Sequence, residues 1–153
     1  MDSHVDLQKL IDLVKTYLVF LFEDYGFEEA EAELLMPGMW IYLRNATSQV
    51  AVRFEYDGAL WMTIGRLELF DGRIVGGEEY NVDYLLRLRA PELEQNEIVT
   101  KFDERKIAEL LNNWGIALRL HADDILRGDF SIFSKLAKVQ SDAMARRLGT
   151  SAD

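Results

Sequence analysis

Three features of the sequence predict an α+β fold. Apolar residues recur at helical spacing near the N-terminus. Runs rich in aromatic and β-branched residues, punctuated by Asp-Gly turns, then fill the middle of the chain. The helical period returns after Gly76-Gly77. The expected architecture is an N-terminal helix, an antiparallel meander sheet of about five strands and C-terminal helices packed on one face. At 153 residues, 49% of them hydrophobic, the chain suits one domain spanning 1–153.

Ser3-His4-Val5-Asp6 has the form of a capping box, with Ser3 as N-cap and an acid three residues later. Leu7, Leu10, Ile11, Val14, Tyr17, Leu18 and Leu21 follow as one continuous stripe. Gly26 is placed to end this helix in a left-handed conformation. Phe27 to Met36 supports two readings. Its composition favours a helix, whereas the alternation of Glu29, Glu31 and Glu33 with Ala30, Ala32 and Leu34, closed by Pro37-Gly38, favours a strand. The strand is preferred. In it the glutamates project to water, while the small residues let the first helix sit close against the sheet.

Trp40 to Arg44 and Val50 to Tyr56 are strands, separated by the polar "NATSQ". Val50, Val52, Phe54 and Tyr56 point one way, and Ala51, Arg53 and Glu55 the other. Asp57-Gly58 leads into Leu60 to Ile64, and Asp71-Gly72 joins "RLELF" to "RIV". Gly65 reads as a bend and Gly72 as a turn residue. Asn81 caps a short helix through "VDYLLRLR", which stops near Pro91. After the connection "PELEQNE", a longer helix starts near Asp103 and carries Ile107, Leu111, Trp114, Leu118, His121 and Ile125 on one face. Gly128 ends it, and Asp129 caps a final helix.

No reaction chemistry emerges. Cysteine is absent, which removes disulfides, thiol catalysis and thiolate metal sites and fits a reducing cytoplasm. His121 to Asp124 is the one tempting metal cluster. It offers at best two ligands on a helix, and His121 reads better as a packed, hydrogen-bonded core residue. The serines fall in caps, loops or the tail, and the glycines do not match phosphate-loop spacing. The expectation is therefore no enzyme, no metal and no cofactor. The run "YLVFLF" lacks a basic leader and a cleavage site, and no apolar segment approaches the ~20 residues of a membrane span. A soluble, cytoplasmic protein is expected.

The formal charge of -10 repels nucleic acid and anionic lipid and favours encounter with basic proteins, although solubility alone also explains it. Between Thr16 and Leu43 there is no Lys or Arg, while Glu23, Asp24, Glu28, Glu29, Glu31 and Glu33 all fall inside. These acids form either a solvated face that blocks edge-to-edge aggregation or a patch that meets a basic partner. Trp40, Tyr42 and Trp61 would add aromatic anchors to that patch if they face outward. The candidate partner-binding residues are Glu28, Glu29, Glu31, Glu33, Trp40 and Tyr42.

The capped helix ending in "YGF", the strands of "WIYLRNATSQVAVRFEYDGALWMTIG" and the tail "LRLHADDILRGDFSIFSKL" resemble a group of small bacterial α+β proteins. Several of these are similar to immunity proteins of toxin systems in size, acidity and simple fold. The likeness covers most of the chain through its hydrophobic pattern and its helix-Gly-Asp-helix tail. It implies a non-enzymatic protein that neutralises a basic partner, such as a toxin, by occupancy. Two other classes stay open. One is a dimeric secretion chaperone with an exposed apolar patch; the other is a small-ligand domain with a pocket lined by Trp61, Met62 and Trp114.

Overall fold

A computed structural model describes residues 3–35, 38–55, 59–93 and 102–149. Helices α1 (Ser3–Tyr17) and α2 (Val19–Asp24) precede strands β1 (Glu28–Leu35), β2 (Gly38–Arg44), β3 (Ser48–Glu55), β4 (Leu60–Phe70) and β5 (Arg73–Asn81). Helices α3 (Val82–Arg89), α4 (Glu104–His121), α5 (Asp123–Leu126) and α6 (Phe133–Arg147) follow. The fold is α+β, and the five strands among the described residues form an antiparallel meander in chain order. The expected turn residues Pro37, Asp57 and Gly58 lie outside the described residues, as do the Ser3 side-chain cap and most of "PELEQNE".

The alternation of β2 to β4 builds the inner face. Register sets Met39 beside Phe54 and Leu60, Ile41 beside Val52 and Met62, and Leu43 beside Val50, Ile64 and Tyr80. All are buried, and each fully buried Leu or Ile contributes roughly 1.5–3 kcal/mol. The helices cover this face. Ile107, Leu110, Leu111, Trp114 and Leu118 of α4 are buried with it, and Tyr80 meets Phe133 of α6 edge to face at 5.1 Å.

Several local expectations hold, and others change. The strand reading of the glutamate segment is correct. Gly26, at φ +69, follows α2, and the Phe27 N–H reaches back to the Leu21 carbonyl at 3.0 Å. Asn81 caps α3 by accepting from the Asp83 N–H, and Asp103 caps α4 by accepting from those of Arg105 and Lys106. Asp71 and Gly72 both have positive φ, as a tight hairpin turn requires.

The first stripe, however, is divided between α1 and α2, because Leu18 leaves helical geometry at φ −114, ψ 24. Helix α1 packs chiefly against α4 and only secondarily against β1. Gly115 of α4 permits this approach, since a Cβ there would stand 2.9 Å from the Tyr17 carbonyl oxygen. Gly65 is not a bend: β4 runs straight through it, and β5 is longer than "RIV". The α4 helix ends at His121, with Gly128 closing α5 instead. Asp129 accepts from the Ser131 N–H in a turn ahead of α6 and does not cap the helix itself.

Candidate functional site

The outer face of the sheet carries the other half of the alternation. Cross-strand register orders it into three rows. Glu33, Trp40, Arg53 and Trp61 make the first. Glu31, Tyr42, Ala51, Thr63 and Asn81 make the second, and Glu28, Arg44, Gln49, Gly65 and Glu79 the third. Of the two directions left open for Trp40, Tyr42 and Trp61, the sheet takes the outward one. Trp61 is 38% exposed, and Trp40 and Tyr42 are half-buried.

Arg53 lies at the centre of this face. Its guanidinium sits 5.3 Å from the Trp40 ring centroid and 5.8 Å from that of Tyr42, close enough for cation–π attraction. Its Nη2 donates to Glu79 Oε1 at 2.8 Å, and the Thr63 hydroxyl donates to the other Glu79 oxygen at 3.0 Å. Burial pulls the Arg53 guanidinium down, but Glu79 and then Tyr42 more than offset it, so its pKa rises. Arg44 also lies over the Tyr42 ring, at 5.4 Å, and donates to Gln49 at 2.7 Å. Trp40 Nε1, Arg53 Nε and Glu55 Oε2 are buried without a hydrogen-bond partner among the described residues.

Two hollows open on this surface. One, of about 230 Å³, lies between Arg44, Gln49, Arg53, Gly65 and Gly77. The other, of about 370 Å³, runs from Trp61 and Thr63 to Tyr84, Gln140 and Arg147. Gly65 lines the first and lets β5 pass close by, since a Cβ there would lie 2.8 Å from the Glu78 carbonyl oxygen.

The acidic ladder needs a correction. The β1–β2 register shifts between Glu29 and Glu31, so Ala30 is an extra residue, a β-bulge. Glu29 falls opposite inward-facing Leu43 and pairs with Lys15 of α1 at 3.0 Å. Glu31 and Glu33 remain on the outer side, opposite Tyr42 and Trp40. Glu31 has a loose ion pair with Arg44 at 3.8 Å. A hydrogen bond with Glu31, then burial and the neighbouring charge, raise the Glu33 carboxyl pKa. Glu28 opposes Arg44 and, with Glu29, lines a groove beside Val19 and Phe22. Ala32 and Leu34 face the core as expected.

The structure therefore brings Glu31, Glu33, Trp40 and Tyr42 together, turns Glu29 away, and leaves Glu28 at the end of the strand. Arg44, Arg53, Thr63 and Glu79 were not singled out as site residues. Their signal lay in the alternation of Ala51, Arg53 and Glu55, which marks an outward row once strand pairing is known.

The small-ligand pocket does not form. Trp61 and Met62 are successive strand residues on opposite faces, and Trp114 is buried among the helices. His121 is half-buried, with no side-chain hydrogen bond among the described residues. Its carbonyl accepts from Arg89, which also grips Asp124 in a bidentate pair at 2.8 and 2.7 Å. That carboxylate is committed. No group of three or more potential metal ligands occurs among the described residues, and no helix there is long and apolar enough to cross a membrane. Comparison with protein-family models, curated proteins and solved structures finds no match.

Proposed function

We propose that the chain is a non-enzymatic binding protein of immunity type, which takes a basic protein partner on its outer sheet face and acts by occupancy. The observation that supports this reading is a sheet face, left uncovered by the described helices, on which aromatic rings sit among surplus carboxylates. Glu31, Glu33, Glu55 and Glu79 outnumber Arg44 and Arg53 there. Trp61 supplies the exposed anchor, since aromatic side chains dominate interface hot spots. The negative field accelerates encounter with a cationic surface and selects against acidic ones. Thr63 and Glu79 face each other, but Arg53 and Thr63 between them engage both Glu79 oxygens, so the pair serves binding better than catalysis.

The test begins with capture of the partner from the cell's own lysate. Stopped-flow association of that partner is then measured with the native chain and with Glu31→Lys/Glu33→Lys. The expected outcome is association slowed about tenfold at low salt, with a shallower salt dependence. An unchanged rate would refute the reading.

The apolar end of the β4–β5 hairpin favours a second reading, a dimeric chaperone-like protein. Leu69, Phe70 and Ile74 are 56%, 72% and 45% exposed, enough to form a client-holding or self-associating patch. Sedimentation separates the two: a stable dimer dissociated by Phe70→Ser would favour the chaperone-like reading.

A further inference from the structure

Among the described residues, the first strand of the sheet is open along one side. There β1 pairs with β2 alone, and no backbone hydrogen bond reaches its outer edge. Alternate N–H and C=O groups along the strand therefore point away from the sheet, ready to template another strand. The opposite edge strand, β5, also has a single strand neighbour, but it carries Arg73 as well as Glu78 and Glu79 and is not uniformly acidic.

We infer that β1 receives an added strand: an extended, basic segment of the partner pairs its backbone along this edge and sets its cations opposite Glu31 and Glu33. The inference rests on the binding-protein reading and adds the mode of docking to it. Two observations select this occupant. Within β1 every charged residue is acidic, and Glu33, two residues from Glu31 on the same side of the strand, has no cationic partner among the described residues.

The strand period also prescribes the incoming sequence. Glu31 and Glu33 lie on the outer side, while Ala32 and Leu34 lie on the core side. The added strand must therefore alternate basic and apolar residues. At the start of β1 a groove of about 430 Å³, lined by Lys15, Val19, Phe22, Glu28 and Glu29, offers a seat for one apolar side chain, since Val19 is 44% exposed there. A second copy of this chain is a poor occupant, since β1 against β1 would set glutamate opposite glutamate.

The probe is a synthetic eight-residue peptide alternating lysine and valine. Two further versions are N-methylated at every second residue, one along each edge. Binding to the full chain is followed by backbone amide spectra and hydrogen exchange. The parent peptide should bind and protect amides of β1. N-methylation along one edge should weaken binding at least about tenfold, and along the other should leave it unchanged, because an added strand uses one edge. Glu31→Lys/Glu33→Lys should weaken the parent at least about tenfold.

Equal binding of both N-methylated versions overturns strand addition while leaving the charge-driven reading intact. Failure of the parent to bind, or protection confined to residues outside β1, also overturns it. Loss of binding on N-methylation without any effect of charge reversal overturns the basic occupant. Failure of the binding-protein reading itself shows separately, in an unchanged association rate with the captured partner.

Discussion

Asn45 illustrates how much a single loop residue organises. Its side-chain amide donates to the carbonyls of Tyr25 and Leu126, at 3.0 and 3.1 Å, while its oxygen accepts from the N–H groups of Thr47 and Ser48. One side chain thereby ties the end of α2, the end of α5 and the β2–β3 turn together. Ser48 reinforces the junction by donating to the Ile125 carbonyl at 2.8 Å. Asn45→Ala should lower stability by about 2–3 kcal/mol, because it strips partners from partly buried backbone groups. Asn45→Asp should fare no better: it keeps the turn bonds but directs a carboxylate at two carbonyl oxygens. Urea midpoints of the variants check both expectations. Nothing in "NATSQ" beyond its polarity foretold this, because the partners lie 20 and 81 residues away in the chain.

Elements that depend on local chemistry were legible, and those that depend on long-range fit were not. The caps at Asn81 and Asp103, the positive φ at Gly26 and the Asp71-Gly72 turn follow from side-chain chemistry within a few residues. Strand period puts Trp40 and Tyr42 on one side of β2, but which side meets water is decided only by the helices that pack on the other. The bulge at Ala30 does not follow from strand period, because it shows only in the pairing of β1 with β2, where Glu29 falls opposite Leu43 and Glu31 opposite Tyr42. Gly65 looked like a bend because its true constraint, the backbone of β5, is supplied by another strand. Gly115 is the clearest such case. As a helical glycine it invites replacement by alanine, a gain of about 1 kcal/mol from propensity. Yet a Cβ there meets the Tyr17 carbonyl oxygen at 2.9 Å and Leu18 at 3.3 Å. Gly115→Ala should therefore destabilise by about 1–3 kcal/mol, measurable as a lowered thermal midpoint. A rise in the midpoint would mean that α1 yields freely.

Across the whole molecule, acid response depends on the carboxylates that fasten the helices. Arg89 holds the Asp124 carboxyl below the usual range by hydrogen bonding, against the opposing effect of burial. Asp123 is lowered by hydrogen bonds from Tyr25 and then Arg127, and Asp129 by those from Ser131. A carboxyl lowered by folding contributes stability that is present above the unfolded value, about 3.9 for aspartate, and is lost as pH falls through the lower folded value. Asp124→Asn should therefore reduce stability at pH 7 by roughly 1–3 kcal/mol. The deficit should close as urea midpoints are followed below about pH 4. Glu33 acts in the opposite sense. Its raised pKa means that protonation favours the folded chain as pH falls through the ordinary glutamate range.

The unpaired Ala30 has one more consequence. In most strands the loss of a single residue exchanges the two surfaces for everything on one side of the cut. Here Glu29 already stands opposite Leu43, and Glu31 opposite Tyr42. Excising the alanine between them would leave both glutamates on the sides they now occupy and would merely tidy the ladder. The regular Glu-Ala-Glu spacing is thus misleading, and this is the point in β1 where a codon can vanish without re-sorting the surface.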